Sequence, residues 1–417
     1  MDAARLPPEA AQRLAEVGAA DLLIGVLSYQ HARTIAGVVQ GVEKGVRAHF
    51  PEARVVLAHA DAGSSDGTVE AAAQAVAEVP LCSLLYPAAA SRRPVPQVHG
   101  VPGADEAFRM LGVAARLVGA RALLLVGADL RALPDEWVER LLRPVWDGEL
   151  DLVAPLFARP VLDGALTSCL LYPLTRALYG AAVRQGVPAE VALSRGLLER
   201  LCDTPGGGGL ATRSLPLFIT TTAAASGVRL GEAWLGVRAE EPRETRVDLG
   251  AIMSEVAGGA FALAELYEEQ WRDATPRPPP RTLGAPTVVR SEPLAASQAG
   301  MVTMFRQGLR DLQPIWEQAL SAATLADLYP LGDLPPEEFV FSPDLWARVV
   351  YDFLLAYRFR VLHRDHLLRS LVPLYLGRLA ALWREAARRP GPAQERLLEE
   401  QARAFEEMKP ALVDRWR

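Results

Sequence analysis

From residue 21 to about residue 240, the chain alternates short apolar runs with longer stretches whose apolar positions recur at helical spacing. "DLLIGVLSY" predicts a buried strand and "TIAGVVQGVEKGVRAHF" the helix after it. "ARVVLAHAD" predicts a second strand with "TVEAAAQAVAEV" as its helix, and "LCSLLYP" a third strand. "ADEAFRMLGVAARLVGA" predicts a helix leading to the strand "ALLLVGAD", and "LDLVAPLFA" predicts a further strand. Apolar strands alternating with helices predict a mostly parallel sheet covered on both faces. In such a sheet ligands bind beyond the carboxyl ends of the strands. The loops after Leu27, Ala60, Tyr86 and Val126 are therefore the ones to inspect.

The pattern changes near residue 260. "DATPRPPPRTLGAPT" is Pro-rich and predicts irregular chain. Beyond it, "MVTMFRQGLRDLQPIWEQALSAAT", "PDLWARVVYDFLLAYRFRV", "RDHLLRSLVPLYLGRLAALWREAARR" and "AQERLLEEQARAFEEMKPALVDRW" all carry helical spacing. The division this predicts is an N-terminal helix over 1–20, an α/β domain over 21–265, a Pro-rich linker over 266–290 and a helical region over 291–417. The amphipathic C-terminal helices could pack on the first domain or form a homodimer contact.

Composition narrows the classes. Of 417 residues, 50% are hydrophobic and 23% charged, enough for a sizeable core. The net charge of −6 and the lack of a basic stripe with aromatics give no support to nucleic-acid binding. Cys82, Cys169 and Cys202 are odd in number and far apart, which fits reduced thiols in a cytoplasmic protein better than a disulfide frame. The N-terminal stretch does not read as a signal peptide, and no apolar run approaches the roughly 20 residues of a membrane span.

Several loops carry candidate chemistry. In "LSYQHARTI", Ser28 and Tyr29 open a loop that closes into a helix near Thr34. In "HADAGSSDGT", Asp61 ends the second strand and is available to a base or ribose, while Asp66 is placed to cap the next helix. "RALLLVGADLRALPDEW" stops a strand at Gly127 and presents one acid, Asp129. Glu190 in "RQGVPAEVALS", in a loop before a short helix, and Glu240 and Glu241 in "LGVRAEEPRETR" have solvated loops as their plain reading. Asp105 and Glu106 already complement a helix N-terminus, which argues against a phosphate there. His363 and His366 share one helical face but lack partner ligands in the sequence. A P-loop and a CxxC pair are missing, and no GxGxxG follows the first strand.

From Leu22 to Glu265 the order of motifs resembles glycosyltransferase family 2-like proteins of GT-A fold, in particular the glucosyl-3-phosphoglycerate synthase and mannosylglycerate synthase group. The segments that carry it are "IGVLSYQHARTI", "DAGSSDGT", "GVPG", "GADLRALPDEW", "LLYPLTRALYG", "RQGVPAEVALS" and "TTTAAASG". The resemblance implies a nucleotide-sugar donor, a Mg2+ or Mn2+ ion on its diphosphate, and a small anionic acceptor such as glycerate or 3-phosphoglycerate, with retained anomeric configuration. It implies that Ser28, Tyr29, Asp61 and Arg184 bind the donor, that Asp129 and Glu240 hold the metal, and that Glu190 acts near the sugar.

This chain departs from that pattern at the reaction centre. The strand-end motif is acid–any–acid, and its first position is Gly127. The donor-contacting lysine is replaced by Ala104, an acid before "TTT" by Pro216, and an asparagine after "SY" by Gln30. Glu240 stands where a histidine ligand is usual, and "PAE" (188–190) stands for "GGD". Asp61, Arg184 and Gln185 match. Such changes fit an altered donor or acceptor, and equally a non-catalytic homologue serving as a binding or assembly module.

Overall fold

The eight strands form one sheet in the order β3-β2-β1-β4-β6-β5-β7-β8. They are β1 (Leu22–Ser28), β2 (Val55–Asp61), β3 (Leu81–Leu85), β4 (Ala122–Gly127), β5 (Leu152–Phe157), β6 (Val191–Ser194), β7 (Leu230–Gly236) and β8 (Arg281–Leu283). All neighbours are parallel except β6, which runs antiparallel to both β4 and β5. This is the mostly parallel α/β sheet expected. The computed structural model describes residues 6–86, 99–158, 164–205, 207, 209, 214–240, 248–286, 298–389 and 393–416. Glu241 lies outside them.

β1 is buried at nearly every position because it lies between β2 and β4 and has helices on both faces. Leu22, Ile24 and Val26 join a core with Val38, Val39 and Val42 of α2 (Ile35–His49) and Trp137, Val138 and Leu141 of α5 (Asp135–Trp146). On the opposite face, a Cβ at Gly25 would lie 2.7 Å from Leu111 of α4 (Ala104–Val118). Gly37, Gly41 and Gly45 recur every four residues and form a bare stripe on α2. Added Cβ atoms at Gly37 and Gly41 would meet the carbonyl oxygens of Arg131 and Leu133 at 2.8 and 2.1 Å. The stripe lets α2 rest directly on the backbone that leaves β4, and so sets the height of the loop carrying Asp129.

Two expectations are corrected. "VALS" of 191–194 forms β6, a strand the sequence reading passed over because four residues leave too short a run for a period of two. The Pro-rich stretch is not wholly irregular: Arg281–Leu283 form β8 on the sheet's edge, where flanking prolines need not donate to a ladder.

The chain divides into two units. One comprises 1–158, 187–246 and 280–288 and contains the whole sheet; the other comprises 159–186, 247–279 and 289–417. The units therefore do not follow the linear division at 265 and 290. The reason lies in what the intervening segments pack against. The helix Leu249–Leu266 lies against Pro343–Arg358 and Arg364–Ser370, and Tyr172–Tyr179 lies against Ala393–Arg415. Within this second unit Lys409 donates to the carbonyls of Leu178 and Ala274, at 3.0 and 2.7 Å.

Leu249–Leu266 is also long and apolar enough to cross a membrane by length and composition alone, an 18-residue run missed by the sequence reading; just over half of it is buried within the protein. His363 and His366 are exposed, with ring centroids 5.3 Å apart.

Candidate functional site

The chain runs outward from β1 to β2 and β3, then returns to place β4 on the other side of β1. The crevice beyond the carboxyl ends of β1 and β4 is thus a topological switch point, where open α/β sheets bind ligands. The two loops meet directly: the Thr34 hydroxyl donates to the Ala128 carbonyl at 2.5 Å, and the Ala128 N–H to the Leu27 carbonyl.

On the β2 side, Ser28 and Asp61 are register partners at the strand ends. The Asp61 carboxylate is fully buried and holds four donors. Ser28 and Ser64 hydroxyls donate to Oδ2 at 2.6 and 2.7 Å; the Gly63 and Ser64 N–H groups donate to Oδ1 at 3.0 and 2.7 Å. A carboxylate offers about four lone-pair positions, so Asp61 shapes the 61–64 turn and does not itself face a ligand. Ser28 Oγ also lies 2.7 Å from Nε2 of buried His59. With the serine proton given to Asp61, His59 must be the donor from Nε2. Its Nδ1 is then a buried acceptor with no partner. Burial outweighs the attraction of Asp61 and brings the His59 pKa down to about 4, so the ring is neutral at pH 7.

The same turn holds the loop after β1. Gln30, in left-handed conformation at φ 59°, donates its N–H to Ser64 Oγ, and Ala32 N–H donates to Asp66. Asp66 also accepts from the Thr68 N–H and hydroxyl, ahead of α3 (Thr68–Ala75). The expected capping role is corrected: Gly67 takes the N-cap position, and Asp66, one residue earlier, closes the turn ahead of it. Tyr29 is half-buried on this loop.

On the β4 side the expected acids come together around a residue the sequence reading did not select. Arg238, two residues past β7, donates from Nε and Nη2 to Glu190 at 3.1 and 2.8 Å, and from Nη2 and Nη1 to Asp129 at 2.6 and 3.4 Å. Its Nη1 also lies 2.5 Å from Glu240 Oε1. All three guanidinium nitrogens face carboxylates. The Arg238 and Asp129 side chains are each 8% exposed and that of Glu190 is fully buried, whereas that of Glu240 is 56% exposed. Burial acts against the arginine's charge, but Glu190 and then Asp129 outweigh it and hold its pKa above the ordinary value.

Local structure explains the convergence. The Arg131 N–H donates to the Ala239 carbonyl and Leu130 bridges Glu240, so the segment after β4 is stitched to the segment after β7. Because β6 is antiparallel, its beginning lies at the carboxyl ends of its neighbours, which delivers Glu190. Gly127 makes room: a Cβ there would lie 2.8 Å from Asp129 Oδ1, 3.1 Å from the Ala189 Cβ and 3.5 Å from Arg238 Nη2.

The acids expected to hold Mg2+ or Mn2+ are hard oxygen donors of suitable kind. They do not fit the ion as arranged, because the guanidinium lies between them. Among the described residues no three His, Cys, Asp or Glu side chains are disposed to hold a metal. Arg184 belongs to the second unit, where its Nη1 lies 2.6 Å from Glu395. Ala104 begins α4, whose Asp105 and Glu106 pair with Arg109, and Pro216 lies in the first turn of the helix Leu215–Ala225. The one signal for Arg238 was a lone cation just before two acids in "VRAEE".

No protein-family model and no curated protein matches the chain. Solved structures similar to it include glucosyl-3-phosphoglycerate synthase from Mycobacterium tuberculosis with Mg2+ and UDP. That match is 22% identical, covers 62% of this chain and 83% of that one, and has a TM-score of 0.42. The same enzyme with Mn2+, UDP-glucose and phosphoglyceric acid is 21% identical over 63% and 84%, with a TM-score of 0.41. A mycobacterial protein is 21% identical over 62% and 78%, with a TM-score of 0.42.

Proposed function

We propose that the chain is a GT-A-like glycosyltransferase that binds a nucleotide-sugar beyond the carboxyl ends of β1, β2 and β4. It passes the sugar, with retention, to a small anionic acceptor such as glycerate or 3-phosphoglycerate. The observation that carries this reading is the convergence of Ser28, Asp61, Asp129, Glu190 and Arg238, from five separate segments, on the switch-point edge of one sheet. Tyr29 supplies a ring for the base, and Ser28 and Asp61 fix the turn that shapes its pocket. Asp129 lies on the sugar side as a hydrogen-bond acceptor for a hydroxyl, and Glu190, fully buried, holds Arg238 beside it. No step runs through a divalent ion, because Arg238 stands among the acids that would hold it.

A second reading, a non-catalytic binding or assembly module, is favoured by one feature: the acids at the expected reaction centre are engaged with Arg238. Calorimetry with UDP- and GDP-sugars, followed by assay of nucleoside diphosphate release with glycerate and 3-phosphoglycerate, separates the two. Binding weakened by Tyr29→Ala, together with release, supports transfer. Binding without release supports the module. No binding of any nucleotide-sugar at millimolar concentration rejects the nucleotide site altogether.

A further inference from the structure

We infer that Arg238 is a built-in cation that fills the carboxylate cage beyond β4. The native chain then takes no divalent metal ion there, and a metal site is uncovered only when the guanidinium is removed. Position is the first support. Arg238 reaches Asp129, Glu190 and Glu240 at 2.6, 2.8 and 2.5 Å, so the centre that these acids could share is occupied by a positive group. A Mg2+ or Mn2+ ion needs oxygen ligands at about 2.0–2.2 Å around its own centre. It cannot share that centre with a guanidinium that already repels it.

Space is the second support. Gly127 occupies the place of the first acid of the strand-end pair, and a side chain there would begin 3.5 Å from Arg238 Nη2. The same side chain would begin 2.8 Å from Asp129 Oδ1, so the glycine leaves Asp129 free to lie against Arg238. Burial is the third. Glu190 is fully buried and Asp129 nearly so, and charged groups taken from water need a partner in place. Arg238 is that partner, held by hydrogen bonds to both, so it is part of the folded core of the site.

The inference deepens the nucleotide-sugar reading, since it makes ligand binding there independent of metal, but its test uses no nucleotide and can fail or succeed separately. The full chain is titrated with Mn2+ alone and free Mn2+ is followed by electron paramagnetic resonance, with thermal melting in parallel. The native chain is expected to leave the free-ion signal unchanged and to melt at the same temperature with or without Mn2+. Arg238→Ala is expected to bind one Mn2+ per chain and to melt higher in its presence, and a second change, Asp129→Asn, to abolish both effects. Arg238→Met, which keeps the packing of the stem, serves the same purpose if the alanine variant does not fold. The inference is overturned if the native chain binds one Mn2+ that Asp129→Asn removes, or if a folded Arg238 variant binds none.

Discussion

The hub around Asp61 and the cage around Arg238 lie on the same edge of one sheet, and each is closed by different means. At the hub one carboxylate is satisfied by neutral donors, three of them within three residues along the chain. At the cage one guanidinium is satisfied by acids 109 and 48 residues earlier in sequence, plus an exposed neighbour. Three of the hub's four donors are in place as soon as its turn forms, and Ser28 completes it once β1 and β2 pair. The cage exists only when β4, β6 and β7 are all in place. A local polar cluster fixes the shape of one loop, whereas a long-range ion cluster ties three loops together and makes their geometry conditional on the whole sheet.

The largest expected effect breaks the cage. Arg238→Ala leaves two buried carboxylates without their cation and should cost about 3–5 kcal/mol of stability, read by denaturant unfolding. A cost as small as that of a surface change would mean that the cage opens to water.

The next tests the hub by pH. His59 is held neutral, with its pKa lowered from 6.5 to about 4, so the unfolded chain binds a proton there that the folded chain refuses. Its contribution is therefore lost as pH falls from 6.5 towards 4, by roughly 3 kcal/mol at most. Above pH 6.5 it makes no difference. His59→Gln should remove that component, so the stability difference between native and variant should change with pH only in that window.

The smallest effect is expected at Glu240→Gln. This pair is more than half exposed on the acid's side, and screening limits its worth to under about 1 kcal/mol. A larger loss, measured the same way, would make Glu240 a full member of the cage and not its rim.

Much of the fold was legible because β1, β2 and β4 are long apolar runs ended by glycine or a polar residue. Their burial on both faces is written into every position. β6 was not, since four residues that pair antiparallel with two parallel neighbours carry no period of their own. In the site, the places of Ser28 and Asp61 at the strand ends were legible because each closes an apolar run. Their satisfaction by the protein itself was not, because it depends on which way the turn donors point. Arg238 was the larger omission. A cation beside two acids reads locally as a solvated loop, and only the tertiary fold turns it inward. Gly127 reads in the sequence as the loss of an acid, and its close approach to Asp129 shows only in the fold.

The passage of the chain between its two units bears on how the protein is made. Six segments alternate, so neither unit is finished when the ribosome first leaves it. The sheet-bearing unit lacks its edge strand until residue 283 has been added. Residues 159–186 and 247–279 then wait for 289–417, a delay of about 6–26 s at typical synthesis rates of about 5–20 residues per second. The apolar helix Leu249–Leu266 waits for the 92 residues from 266 to 358, about 5–18 s at that rate, before Pro343–Arg358 is complete and can cover it. Until then its apolar face is open to water, the kind of surface chaperones cover during synthesis.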